Sequence, residues 1–301
     1  DITDKTSLKL SAKHNSTESD YPGSDGPDDY GSRDDQDNNF SISVSQNLKE
    51  KDRSLNFYNN DRNLYDKTRY GPSIFGPAGF SVTDIDIDKR GANFSEINYK
   101  FNKHILSYGA EVTENKVTNN TTPETINENL NRALYFQDKF YINNQNTIIY
   151  GARYDDHEEY GSEFSPRIGY IYNFSENLNI NLSWGESFNP PSFMDLYGSG
   201  GNEDLNPEVS KNYELGLKYL DSVCKREIVL FRRDITDLIV YSGIYPTAKM
   251  KNVDSATING FEIKTNRKIY DKWEIGLNYT YLDAKDDSTD EQLTDMPYHD
   301  L

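Results

Sequence analysis

Residues Trp184 to Gly216 read WGESFNPPSFMDLYGSGGNEDLNPEVSKNYELG. A segment with an apolar residue at every second place, Leu178, Ile180, Leu182 and Trp184, runs into Ser187-Phe188-Asn189-Pro190-Pro191. Two successive prolines remove two N–H donors, so a sheet ladder cannot continue through them. A loop rich in Gly, Asn and Asp follows, then Asn206-Pro207-Glu208, and a second alternating segment opens at Lys211. The stretch predicts two β-strands joined by a long loop.

The same alternation recurs along the chain. Trp273, Ile275, Leu277, Tyr279 and Tyr281 fall on one face, against Glu274, Gly276, Asn278 and Thr280 on the other. Ile168, Tyr170, Tyr172 and Phe174 repeat the pattern, as do Tyr213, Leu215, Leu217 and Tyr219. Period two fits half-buried strands, and helical spacing does not fit these segments. Strands are expected near 5–12, 39–47, 52–60, 91–101, 104–116, 131–142, 147–155, 162–173, 178–187, 211–220, 225–241, 248–266 and 272–284. Short links, such as 143–146 and 174–177, alternate with longer ones at 13–38, 61–90, 117–130, 156–161, 188–210 and 285–296. Membrane barrels show this bias, with tight periplasmic turns and long outer loops. A soluble sandwich has no reason to place so many long loops at one end.

The expected fold class is therefore all-β, a partial antiparallel transmembrane β-barrel of about 13 strands. A closed bacterial barrel needs an even count, because an open edge in lipid leaves backbone groups unpaired at several kcal/mol each. Met296-Pro297-Tyr298-His299 stands where another strand should begin. Residues 1–301 are thus expected to be an incomplete barrel domain, unable by itself to carry out energy-coupled uptake.

Composition agrees. The mean hydropathy is −0.86, and no run approaches the roughly 20 apolar residues of a spanning helix. A barrel strand needs only about 9–11 residues with every second one apolar, so low hydropathy does not count against a membrane. Twenty-three tyrosines and fourteen phenylalanines argue against disorder and suit interfacial aromatic girdles. The net charge of −18 makes nucleic acid an improbable partner. Cys224 is the single cysteine, so no internal disulfide forms. The chain opens on Asp1-Ile2-Thr3-Asp4-Lys5 with no export signal, although a barrel must be exported.

The motifs carry a resemblance. Trp184–Gly216 is similar to the "GxSFxxPxxxxLY…GNxxLxPExSxxYELG" segment of TonB-dependent outer-membrane receptors. Phe231–Ile239 resembles that family's "YRxDIxDLI", and Asn252 with Ile258-Asn259-Gly260-Phe261-Glu262 resembles its "NxxxAxIxGxE". Asn278–Ala284 is similar to "YTYLDA", and Met296–His299 looks like "RxPxH". Within the family the likeness is to the cobalamin transporter branch, through the long acidic loop, Tyr65-Asp66 and Gly201-Asn202-x-x-Leu205-x-Pro207-Glu208. The resemblance implies a 22-stranded barrel in the cell outer membrane, bathed in membrane lipid and filled by a plug domain that contacts TonB. Plug and TonB-contacting segment are expected to be absent from these residues. It also implies a non-enzymatic transporter of a scarce nutrient chelate, cobalamin ahead of iron-siderophore. A plugless porin or surface adhesin is the alternative, and a soluble all-β carbohydrate-binding or hydrolase domain is a third class.

Asp35-Gln36-Asp37, in the acidic stretch Asp20–Asp37, with Asp66 from the neighbouring loop, offers the hard oxygen ligands that calcium takes. The resemblance implies calcium ordering these loops over substrate, although the family's Asp-x-Asp-Gly-Phe reads here Asp35-Gln36-Asp37-Asn38-Asn39-Phe40. A solvated acidic loop is the bland alternative. Asp195 and Tyr197 are candidates to line the external vestibule and touch ligand, or else to anchor the loop base. His14, His104, His157 and His299 have no HxH or HExxH spacing, and no GxSxG, P-loop or GxGxxG occurs. No catalytic residue is expected.

Overall fold

A computed structural model describes residues 5–22, 30–70, 79–120, 125–198, 200–243, 248–270, 273–293 and 296–300. The strands are β1 (Thr6–Pro22), β2 (Tyr30–Leu48), β3 (Lys51–Tyr70), β4 (Gly79–Asn98), β5 (His104–Asn119), β6 (Thr125–Tyr141) and β7 (Asn146–His157). There follow β8 (Gly161–Asn173), β9 (Leu178–Asn189), a short helix α1 (Phe193–Tyr197), β10 (Glu208–Leu220), β11 (Cys224–Ser242), β12 (Lys249–Ile269), β13 (Trp273–Asp286) and β14 (His299–Asp300). They form one antiparallel sheet in chain order. The all-β expectation holds, with fourteen strands where thirteen were expected. The extra strand is β14, which pairs His299 with Tyr281 where a further strand was anticipated.

Two of the expected loops are mostly ladder. β1 pairs β2 from Thr6–Gln46 to Pro22–Tyr30, and β3 pairs β4 from Lys51–Asn98 to Tyr70–Gly79. The 13–38 and 61–90 segments therefore lengthen existing strands and add no further hairpin. Gly71-Pro72, Gly76-Pro77 and Ala78 lie outside the described residues, as do 23–29 of the acidic stretch. β2, β3 and β4 run 19, 20 and 20 residues, about twice what crosses an apolar band. Beyond that band a strand needs no apolar face, and cross-strand polar pairs such as Asn63–Asp86 at 2.7 Å sustain it.

The chain divides into two compact units. The first comprises Asp1–Asn98, Ser107–Leu134 and Asp155–Gly161. On one of its faces Leu8, Val44, Leu55 and Phe94 stand in one cross-strand row, with Leu10, Ile42 and Phe57 in the next alternate row. On the other face Ser7, Ser45, Ser54 and Ser95 form a row, bonded as Ser7–Ser45 at 2.9 Å and Ser54–Ser95 at 2.6 Å. Both faces alternate strictly, as the pleat requires.

The second unit comprises Tyr99–Leu106, Tyr135–Tyr154 and Ser162–Leu301. Register places Ile168, Trp184, Tyr213 and Arg232 in one row, and Tyr170, Leu182, Leu215 and Leu230 in another, on a shared face. Trp273, Ile275, Leu277, Tyr279 and Tyr281 continue that face on β13. It is open: Leu182 is 48% exposed and Trp273 72%. The core lies on the opposite face, where Ile235, Ala256, Ile258 and Ala284 pack with Phe231, Leu282, Leu293 and Met296. The segment after β13 is tied over it by Leu293 N–H donating to Ala284 O at 2.9 Å.

The tight turns are sealed by side chains. Asn143 Oδ1 accepts from the Gln145 and Asn146 N–H groups, both at 2.9 Å. Asp221 Oδ1 accepts from Val223 at 2.8 Å and Cys224 at 2.7 Å. Such bonds replace missing ladder partners and favour Asn and Asp at hairpin corners.

Candidate functional site

The loop between β9 and β10 begins at Pro190-Pro191 and turns at once into α1. Ser192 caps that helix: its Oγ accepts from Asp195 N–H at 3.2 Å, and Asp195 Oδ2 accepts from Ser192 N–H at 2.8 Å. This capping box satisfies orphan donors at the helix start. The Asp195 carboxylate, expected at ligand, is thus engaged at the loop base. Tyr197 closes the helix against Phe193, with ring centroids 6.3 Å apart. Leu196 and Leu205, both within this loop, are buried.

Two polar side chains clamp this loop to the sheet. Asn252 Nδ2 donates to Asn206 O at 2.9 Å and Asp237 O at 2.6 Å, while its Oδ1 accepts from Asn206 N–H at 2.9 Å. Glu208 accepts from Ile239 N–H and Asn189 Nδ2 at 2.9 and 2.8 Å. Met250 N–H donates to Gly200 O at 2.7 Å. The sequence motifs around Asn206, Glu208 and Asn252 therefore describe one fastening, which shapes the rim.

Asp35 and Asp37 lie on β2 and Asp66 on β3, so these residues belong to paired strands and not to loops. Register puts all three on the serine-lined face: Arg33 opposes Asp66 and Asp37 opposes Arg62. Each is engaged separately. Arg62 Nε donates to Asp35 Oδ1 at 2.8 Å and its Nη2 to Oδ2 at 2.5 Å. Asn39 and Asn15 donate to Asp37 Oδ2 at 2.8 and 3.4 Å. Asp66 Oδ1 accepts from Tyr21 Oη at 2.6 Å and Thr68 Oγ1 at 3.1 Å. Asp35 stands past the part of β2 needed to cross an apolar band, and the Arg62 guanidinium holds its carboxyl below the usual range. Among the described residues no three His, Cys, Asp or Glu side chains gather as a metal cage.

The same face carries a cavity of about 470 Å³ whose lining includes Asn15, Thr17, Asp35, Asp37, Arg62 and Lys89. Two carboxylates meet two cations, so the formal charges cancel, and amide groups supply donors and acceptors. Arg62 and Lys89 went unread in the sequence. Their signal was register: once Asp37 is paired in β2, the residues at period two on β3 and β4 face the same space.

These features converge with comparison. The family model for the TonB dependent receptor-like β-barrel matches residues 1–301. The chain belongs to the TonB-dependent receptors. Vitamin B12 transporter BtuB of Photobacterium profundum is 31% identical over 198 residues, covering 62% of this chain and 32% of that protein. The iron-regulated outer membrane virulence protein of Vibrio cholerae is 27% identical over 229 residues, covering 65% and 35%. Among solved structures, a mutant of the ferric enterobactin receptor PfeA of Pseudomonas aeruginosa superposes with a TM-score of 0.77 at 15% identity, over 99% of this chain and 52% of that one. The chain spans about a third of the length of those curated relatives and about half of that structure. TonB-dependent receptors are outer-membrane β-barrel proteins and not enzymes. The exposed apolar face is accordingly the lipid-facing one, and the serine-lined face is the inner one.

Proposed function

We propose that this chain is wall of a receptor that imports a scarce nutrient chelate across the outer membrane by TonB-dependent uptake, with cobalamin preferred over an iron-siderophore. The observation that carries the reading is the polar cavity at Asp35, Asp37, Arg62 and Lys89 on the inner face. Its paired charges and amides suit a large, amide-rich ligand of low net charge. A strongly anionic ferric chelate would call for an excess of cations. The relative named as a vitamin B12 transporter points the same way. Asp195 acts in this reading through the capping box it shares with Ser192, which sets where Tyr197 meets ligand.

Calcium enters the same reading by drawing Asp35, Asp37 and Asp66 together, and it must displace Arg62 from Asp35 to do so. Two measurements test the proposal. Labelled cobalamin should bind the detergent-extracted receptor, and Arg62→Gln with Lys89→Gln should weaken binding by roughly tenfold, as expected for one or two lost charged hydrogen bonds. Unchanged affinity in that variant, with ferric chelates binding better than cobalamin, sinks the substrate assignment. Titration of calcium with the wild type and Asp37→Asn decides the metal: affinity indifferent to calcium removes it from the account.

A further inference from the structure

The inner face of the second unit holds a cavity of about 410 Å³, lined among others by Asn212, Glu214, Phe231, Arg233, Leu282 and Met296. That volume is in the range of small-molecule pockets. Register explains its two halves. On β10 and β11 Asn212 opposes Arg233 and Glu214 opposes Phe231, so the charged groups share one side. On β12 and β13 Ile258 opposes Ala284 and Gly260 opposes Leu282, so the other side is apolar. The Phe231 ring lies over Gly260, between the two halves. The segment that brings Met296 to the cavity is fastened by Gln292. Its Oε1 accepts from Ala284 N–H at 3.2 Å, and its Nε2 donates to Met296 O at 2.9 Å.

The charges single this cavity out. Arg233 and Glu214 are diagonal neighbours on adjacent strands, about 7–8 Å apart at the backbone and within reach of long side chains. They do not pair. Arg233 Nε donates to Asn212 Oδ1 at 2.7 Å, and Asn212 is itself fixed by donating to Ser187 Oγ and Ser210 Oγ, both at 3.3 Å. Glu214 Oε2 accepts from Ser183 Oγ at 3.3 Å. Among the described residues neither Arg233 nor Glu214 forms a salt bridge, and the terminal nitrogens of the guanidinium have no acceptor. Glu262, the other carboxylate of the lining, is neutralised by Lys264 at 2.6 Å. One guanidinium and one carboxylate thus stand apart, each held by a neutral partner, beside an apolar wall. A singly charged ligand would satisfy one of them and take water from the other, whereas a dipolar one satisfies both.

The geometry points to a dipolar ligand: we propose that this cavity binds a small zwitterion with an apolar side group, of the α-amino-acid type. Its carboxylate takes the terminal nitrogens of Arg233, and its ammonium takes Glu214. Its side group lies on Phe231, toward Ile258, Leu282 and Met296. The site belongs to the second unit alone and goes beyond the import reading, so the fate of the cobalamin assignment does not bear on it.

Saturation-transfer NMR with the detergent-extracted receptor tests it, using L-phenylalanine, 3-phenylpropanoate and 2-phenylethylamine, which share a ring and differ in charge. L-Phenylalanine should bind roughly tenfold tighter than either singly charged probe, as expected for one charged hydrogen bond more. Arg233→Gln should abolish its advantage over 2-phenylethylamine and keep that over 3-phenylpropanoate. Glu214→Gln should do the reverse, and Arg233→Lys should keep both preferences. Heat-dependent mobility in cold detergent gels reports folding of each variant. Should the variants fail to fold, the wild-type comparison still decides. Wild type that binds the three probes equally, or binds none of them, overturns the proposal, as do unchanged preferences in folded glutamine variants.

Discussion

At Gly91 a side chain is forbidden by its neighbours. A Cβ built there would lie 2.6 Å from both Tyr58 Oη and the Val112 carbonyl. Its absence lets the Tyr58 ring cross β4 and bond Thr113 on β5, at 2.8 Å. Gly260 does the same for Phe231, whose ring would meet a Cβ at 2.5 Å. That explains the glycine in Asn259-Gly260-Phe261, which the sequence presented only as a motif letter. Gly91→Ala should destabilise the barrel by about 1–3 kcal/mol through overpacking, read as an earlier midpoint in heat or denaturant unfolding. Asn252 is the other residue whose role register reveals. Its replacement by Ala leaves backbone groups of Asn206 and Asp237 unmatched, at about 1–3 kcal/mol. Limited proteolysis should then cut within 190–207 sooner, while the strands stay protected.

At the scale of the element, strands were legible wherever one face meets lipid. Leu178, Ile180, Leu182 and Trp184 announce β9 because lipid tolerates no polar side chain at those places. The outer halves of β1 and β2 carry no such signal. Both faces there are polar, so Asp34, Gln36 and Asn38 read as loop although they continue a ladder. Helix α1 was equally hidden, because five residues show no periodicity; Ser192 and Asp195 were its visible mark. The turns were readable through their Asn and Asp. Asp221 seals one of them, and the Val223 N–H, followed by the Tyr219 hydroxyl, holds its carboxyl below the ordinary value of 3.8. The sign follows from that direction. The folded value is the lower one, so the stabilisation is complete above about pH 4 and lost as pH falls through the depressed value. The protection of the Val223 and Cys224 amides, relative to the intrinsic exchange rate at each pH, should fall in that acidic window, and Asp221→Ala should show the lower protection already at neutral pH.

For the whole molecule, the family and the all-β fold were readable because barrel patterning repeats in strand after strand, which outweighs any single motif. The candidate site was only half readable: Asp35, Asp37 and Asp66 were visible as acids, but Arg62 and Lys89, which set their charge balance, depend on pairing. The same patterning sets what the molecule tolerates. Leu182→Arg places a cation against lipid and should cost about 2–4 kcal/mol near the midplane, whereas Asn181→Arg, on the inner face, should leave folding efficiency in lipid vesicles near wild type.

The most direct test of the outer-membrane assignment is a scan of spin labels placed one at a time from Leu178 to Ser187, with the protein in lipid bilayers. Collision with oxygen, which concentrates in lipid, should peak at 178, 180, 182 and 184, and collision with a water-soluble nickel chelate should peak at the residues between. Equal access of the aqueous reagent to both sets, with no period of two, would contradict the account.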